Sequence, residues 1–440
     1  MATTYLTRTG ATPTTSNKYT FSCWVKRGSI GTTETIFRTY SDGSNSAQLI
    51  FDSDDTFAFQ DIVGGTTVTN LKPSNLFRDT GAWMNFIVQV DYTQAVAADR
   101  AKIFINGVEV SYSATTVQSQ NGASMLNTAN NNALGSNRSN SSHYFTGSMT
   151  HANFIDGTAY PASTFGEVDS TSGIWTAKTT PSVTYGNNGF FLKMENASAM
   201  GTDSSGNSNT FTVSGSLTKN QDTPANNFAT WNPLVQQSSG FVLSNGNTTA
   251  DNTNDTWRSV YSTLAPSVGK YYFECKIVNQ LQTPRSIIGV CSTAQASNSS
   301  ARLGYEGTNA YAYGSDGNKI NNGTNTSYGN TFATGDIISC ALDLDNGKIY
   351  FGKNGTWQNS GDPTSGSTGT GSAFNVTLGE FYYFGSASYG NEGIISINSG
   401  NGYFQTTPVS SAGTNASGNG IFEYDVPTGY TALSTEGLNS

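Results

Sequence analysis

Charge is scarce in this sequence: only 12% of its 440 residues are Asp, Glu, Lys or Arg, against about 25% in an average soluble domain. A surface built from hydroxyls and amides owes little of its contact energy to Coulombic terms, so ionic strength should hardly affect it. The net charge of −9 and the lack of any basic run argue against DNA or an anionic membrane as partner, because both need clustered Lys and Arg to displace counterions. No stretch approaches eighteen apolar residues, and the opening "MATTYLTRTG" has neither the charged nor the apolar region of a secretory signal, so neither membrane insertion nor Sec export is expected. Histidine is limited to His143 and His151, which puts metal centres with several imidazoles out of reach. The four cysteines, Cys23, Cys275, Cys291 and Cys340, have no metal or redox spacing. They read as small core hydrophobes of a chain that folds in a reducing compartment. Helical periodicity, heptads and fixed-period repeats are also missing, which argues against coiled coils, solenoids, propellers and collagen-like stalks.

Alternation and turn residues are what remains. Runs such as "YTFSCWV" (19–25), "WMNFIVQVDY" (83–92), "AKIFINGVEV" (101–110), "KYYFECKI" (270–277) and "DIISCALDL" (336–344) alternate as strands do, and the chain reads as all-β. In the second run Met84, Phe86, Val88 and Val90 face one way and Asn85, Gln89 and Asp91 the other, the pattern of a sheet with one wet face. In the fourth, Phe273, Cys275 and Ile277 share a face opposite Glu274 and Lys276. Asn106-Gly107, Asn346-Gly347 and Asn354-Gly355 are hairpin signals, since type I′ turns need φ > 0 at both central positions. Prolines and polar residues in 222–240 mark a linker, which divides the chain into domains 1–221 and 241–440. The segment 360–374, "SGDPTSGSTGTGSAF", reads as a mobile surface loop.

The stretches 19–29, 81–110 and 145–167 resemble the concanavalin A-like lectin/laminin-G family, in the form found in marine bacteriophage structural proteins. The stretches 269–278, 287–292, 303–323 and the double hairpin 343–357 resemble a SPRY domain. Both resemblances imply antiparallel sandwiches, so two β-sandwich domains of jelly-roll type in series are expected.

Chemistry is harder to find. Concanavalin-like hydrolases carry three carboxylates on one strand, whereas "EVDSTSG" supplies Glu167 and Asp169 and then Thr171 and Ser172. There is no Gly-x-Ser-x-Gly, and none of the Gly-x-Gly pairs at 369–371, 400–402 and 418–420 extends to a nucleotide-binding fingerprint. The lectin resemblance raises Ca²⁺ at a sheet rim, with Asp42, Asp52, Asp54 and Asp55 as the candidate oxygen ligands; no other cofactor is expected. The Tyr- and Asn-rich stretch 305–322 offers Tyr305, Tyr311 and Tyr313 as rings on which a sugar could stack, although alternation at 311 and 313 also suits a core.

The expectation is a non-catalytic phage virion structural protein, a fibre or spike component that binds host surface glycan or protein. Capsid or tail decoration and polysaccharide depolymerase are the alternatives. Folding in the host cytoplasm, exposure on the particle, other virion proteins as neighbours and a homo-oligomeric state on the particle follow from that reading. Many copies would let weak single sites act through avidity.

Overall fold

The computed structural model describes residues 4–137, 142–236, 241–280, 285–296, 302–390 and 393–439. The chain divides into two compact units, Met1–Lys219 and Asn220–Ser440, and each is built from antiparallel sheets.

In the first unit an eight-stranded sheet faces a six-stranded sheet. Strand Lys18–Arg27 pairs with Met84–Asp91 so that Phe21 lies beside Val88 and Cys23 beside Phe86. Their inward faces meet Phe37, Leu49, Phe51, Phe57, Phe59 and Leu71 of the larger sheet in one core. Phe21 stacks on Phe37 at 5.1 Å, and Phe51 meets Phe86 edge-on at 5.3 Å. Each buried ring of this kind contributes about 1.5–3 kcal/mol. The other face of the smaller sheet is drier than alternation predicted. Ile87 packs with Ile155, Ala162 and Phe165, and buried Asn85 accepts from the Trp175 indole at 3.2 Å. Residues 160–185 cover this face, and no local pattern announces such a covering segment.

The second unit pairs a seven-stranded with a nine-stranded sheet. Phe273, Cys275 and Ile277 point into a core shared with Ile288, Val290 and Phe384, and Phe273 stacks on Phe384 at 4.0 Å. The expected linker 222–240 belongs in part to this unit. Trp231–Gln236 is an edge strand beside Trp257–Ser262, with Trp231 fully buried and the register broken between Trp231 and Gln236. Pro233 is tolerated there because an edge strand can lose a donor. Residues 237–240 lie outside the described residues.

Ile337–Asp343, Lys348–Lys353 and Thr356–Trp357 follow one another as antiparallel strands. The two Asn-Gly pairs differ, however. Asn354 and Gly355 form a two-residue turn with φ of 48° and 79°, as do Asn106 and Gly107 with 47° and 79°. Asn346-Gly347 instead lies in a four-residue loop between paired Asp343 and Lys348, with φ > 0 at Gly347 and not at Asn346. Asp343 Oδ1 explains it by accepting the amides of Asp345 and Asn346, an Asx turn that competes with type I′. The Gly-rich segment 360–374 is tied down: Asp362 caps a short helical turn, and Gly371 and Pro363 carbonyls accept the hydroxyls of Tyr328 and Tyr430.

Candidate functional site

The outer face of the nine-stranded sheet carries the site. Register aligns Asn398, Glu274, Ser339, Gly352 and Trp357 as one cross-strand row on five adjacent strands. Because side chains alternate, the whole row shares the face opposite the core. Ser339 and Gly352, the small members, leave a hollow of about 220 Å³ between larger neighbours. Trp357 forms one wall, Tyr424 and Asp425 another, and Tyr272 closes the base. The Tyr272 and Trp357 rings meet nearly at right angles, 73°, with centroids 6.3 Å apart. Gly355 is open enough for the Tyr424 ring to lie where a Cβ would stand, 2.7 Å from its nearest atom.

A C-terminal strap makes this face a site and not a bare sheet. Phe422, Val426 and Tyr430 pack with Tyr272, Ala341 and Tyr350 in a second apolar layer. Glu274, which alternation places toward solvent, is fully buried beneath it. Its carboxylate accepts the amides of Glu423 at 2.9 Å and Tyr424 at 2.8 Å, the Tyr272 hydroxyl at 3.0 Å and the Asn398 amide at 3.2 Å. Burial pushes Glu274 up to about 7, against the pull of these four donors. Tyr272 in turn lies 2.9 Å from Ser339 Oγ, at the base of the hollow. Asp425 is exposed and uses one oxygen to accept from the Thr414 amide and hydroxyl. Burial, and after it the carboxylates of Glu423, Glu274 and Asp336, raise Tyr424. Lys353 pairs with Asp336 at 3.0 Å, and no Lys, Arg or His lines the hollow.

The tyrosines chosen from sequence do not line this hollow. Tyr311 and Tyr313 are buried in the core of the second unit, where Tyr313 stacks on Phe351 at 5.6 Å. Tyr305 is half-buried and stacks with Trp257 on either side of the Arg302 guanidinium, 3.5 Å from each ring. Its hydroxyl donates to Asn325 at 3.0 Å.

The four aspartates proposed for Ca²⁺ already have partners. Asp42 accepts from the Ser44 amide at 2.8 Å and closes a turn. Asp52 and Asp54 share Lys72 at 3.3 and 3.0 Å, and the Thr56 hydroxyl and amide, then Lys72, hold Asp54 down at about 2. Asp55 points away from them to Arg27 at 3.2 Å and Arg78 at 2.9 Å. Against burial, the Gly31 amide and both arginines keep it below the usual carboxylate range. Lysine and arginine neutralise Asp52, Asp54 and Asp55, and among the described residues no group of three or more His, Cys, Asp or Glu is arranged to hold a metal. Glu167 pairs with Lys178 at 3.4 Å, and Asp169 accepts the amides of Thr171 and Ser172 in a turn. His151 sits half-buried on a bulge beside Phe191, lowered by burial.

Residues 2–163 match the family model described as Concanavalin A-like lectin/glucanases superfamily, and residues 270–396 match the SPRY domain model. Ran-binding protein 9 of Danio rerio is 35% identical over 94 residues, 21% of this chain and 15% of that protein. Ran-binding protein 9 of Homo sapiens is 36% identical over 94 residues, 12% of its own length. The chain thus spans only a small part of these relatives. Among solved structures, the SPRY domain of human HERC1 is 20% identical, with 38% of this chain and 96% of that one covered and a TM-score of 0.31. Stonustoxin is 19% identical, with 39% and 27% covered and a TM-score of 0.30. A lectin-like domain and a SPRY domain both point to binding.

Proposed function

We propose that this chain is a non-catalytic recognition protein whose second unit captures its partner at the hollow between Trp357 and Tyr424. The observation that carries this reading is the hollow itself: two small residues in register, three aromatic walls, and a strap anchored on Glu274 that holds them in place. Preformed concavities that set aromatic rings beside a few placed polar groups are where ligands bind. A carboxylate used for chemistry needs a free, tuned partner, and Glu167 and Asp169 are spent on Lys178 and a turn.

The phage-type resemblance of the first half extends the reading to a virion surface. There the chain would be a fibre or spike component, present in several copies, that holds host surface glycan or protein. Folding in the host cytoplasm agrees with four buried, unpaired cysteines. Gly352→Ala provides the test. A Cβ at 352 meets Trp357 Cε3 at 3.3 Å and Ser339 Cβ at 3.4 Å, so it intrudes between the small members of the row and displaces the Trp357 wall by a few tenths of an ångström. Binding of purified protein to host cells should fall at least tenfold while the melting temperature stays within a few degrees. Unchanged binding would refute the site. Imaging the particle separates fibre tips from capsid faces, the latter favouring decoration. Steady release of reducing ends from host polysaccharide would overturn the non-catalytic reading.

A further inference from the structure

We propose that the hollow takes an alkylammonium group, the head of a lysine side chain or of a free quaternary ammonium compound, and not a neutral sugar. This rests on reading the hollow as the recognition site, and it adds the chemistry of the ligand.

The argument begins with donors and acceptors. A sugar hydroxyl both donates and accepts, so a sugar site usually offers amide or cationic donors beside its aromatic platform. Here the lining side chains are Tyr272, Ser339, Trp357, Tyr424 and Asp425. Asn, Gln, Arg, Lys and His are missing from that lining. The one nearby amide, Asn398, is occupied by Glu274 Oε2 and the Ile421 carbonyl. The Tyr272 hydroxyl is engaged by the Glu274 carboxylate at 3.0 Å and by Ser339 Oγ at 2.9 Å, so it is not free for a guest. What faces a guest is chiefly the Trp357 and Tyr424 rings and the Asp425 carboxylate, with the hydroxyls of Ser339 and Tyr424 beside them and no cationic or amide side chain. Such a surface suits a cation, which the ring quadrupole attracts and which asks for no hydrogen-bond donor from the site.

Size and charge agree. At about 220 Å³ the hollow is smaller than a site for a drug-sized molecule, which typically spans about 300–1,000 Å³, and suits one compact head group. Asp425 stands at the rim with one oxygen beyond its Thr414 contacts. Glu423, next to Tyr424 on the strap, adds negative charge there. The partly exposed rings of Trp357 and Tyr424, on opposite walls, give an ammonium its aromatic contacts, and buried Tyr272 holds Trp357 in place edge-to-face. An anion would find no counter-charge in the lining, and a neutral guest would gain nothing from the field.

The experiment titrates the full chain with choline, with N-acetyl-lysine methylamide, and with 3,3-dimethyl-1-butanol, the neutral isostere of choline, following heat and tryptophan fluorescence. At least one cation should bind about fivefold or more tighter than the isostere. Asp425→Asn, which keeps the oxygen that accepts from Thr414, should weaken the cation severalfold and leave the isostere unchanged. Trp357→Phe should remove the fluorescence change. Preference for the lysine derivative assigns the ligand to a partner protein, and preference for choline assigns it to a free compound. Equal binding of cation and isostere, or no binding of either cation at tens of millimolar, overturns the proposal. Gly352→Ala separates the two readings: if it abolishes host-cell binding while neither cation binds, the site stands and its assigned chemistry falls.

Discussion

Arg27 offers the sharpest test of how the first unit is held together. Its guanidinium is completely buried, with Asp55 at 3.2 Å, Glu34 at 3.6 Å, the Phe77 carbonyl at 2.5 Å and the Phe51 ring 4.3 Å below. Arg27→Met keeps the apolar stem and removes the charge. Two carboxylates are then left without their buried cation. Glu34 retains the Ser29 hydroxyl and the Thr146 amide, and burial already pushes it up. Asp55 retains Gly31 and Arg78, but the Arg78 side chain is 57% exposed and screened by water. Breaking a buried pair on one side costs about 3–5 kcal/mol. For a unit of some 219 residues, with about 2–4 °C per kcal/mol, the first unit's melting transition should drop by about 6–20 °C. Scanning calorimetry would measure this, with the second unit's transition as an internal standard. The triple variant Arg27→Met, Glu34→Gln, Asp55→Asn should recover much of the loss, because the penalty lies in the orphaned charges. A single variant within 1 kcal/mol of wild type, or a triple variant as unstable as the single, would refute the reasoning.

Three further outcomes are expected. Chelators should leave the first unit's melting temperature unchanged, since Lys72, Arg27 and Arg78 already neutralise Asp52, Asp54 and Asp55; a drop of several degrees with EDTA would restore the metal reading. Asp61 is buried without a cation and pushed up to about 6, so the folded state binds more protons than the unfolded state between about pH 4 and 6 and stability falls as pH rises through that window. Asp61→Asn should reduce this slope and relieve about 2–3 kcal/mol at pH 7, seen as a denaturation midpoint that falls less between pH 4 and 6 than that of the wild type; an unaltered slope would exonerate Asp61. Gly107→Ala sets a Cβ 2.5 Å from the Trp175 ring at φ 79°, which should cost more than the roughly 1–2 kcal/mol of the left-handed conformation alone; urea titration showing under 0.5 kcal/mol would mean that the Trp175 segment moves freely.

Much of the architecture could be read locally. Alternation at Phe273, Cys275 and Ile277, and at Phe86, Val88 and Val90, fixes which side chains turn inward, because a strand's period of two does not depend on its neighbours. Asn106-Gly107 and Asn354-Gly355 likewise specify their own turns. Asn346-Gly347 shows where this ends: Asp343, three residues upstream, redirects the loop with its side chain. The site was legible only in fragments. Tyr272 and Glu274 share a face and Trp357 follows a hairpin turn, but nothing local brings them together.

The all-β class, the inward faces of the strands and the small set of tight turns are each set by steric and solvation preferences within a few residues. Tertiary structure decided the rest. Only the register of distant strands aligns Glu274, Ser339, Gly352 and Trp357. Only a strap about 150 residues further along the chain, its amides on Glu274, turns an outward carboxylate into a buried anchor. Arg27 and Asp55, 28 residues apart, meet because folding must pair any charge it takes out of water. Long-range contacts carry no period that a local reading can detect, and the hollow is made of them.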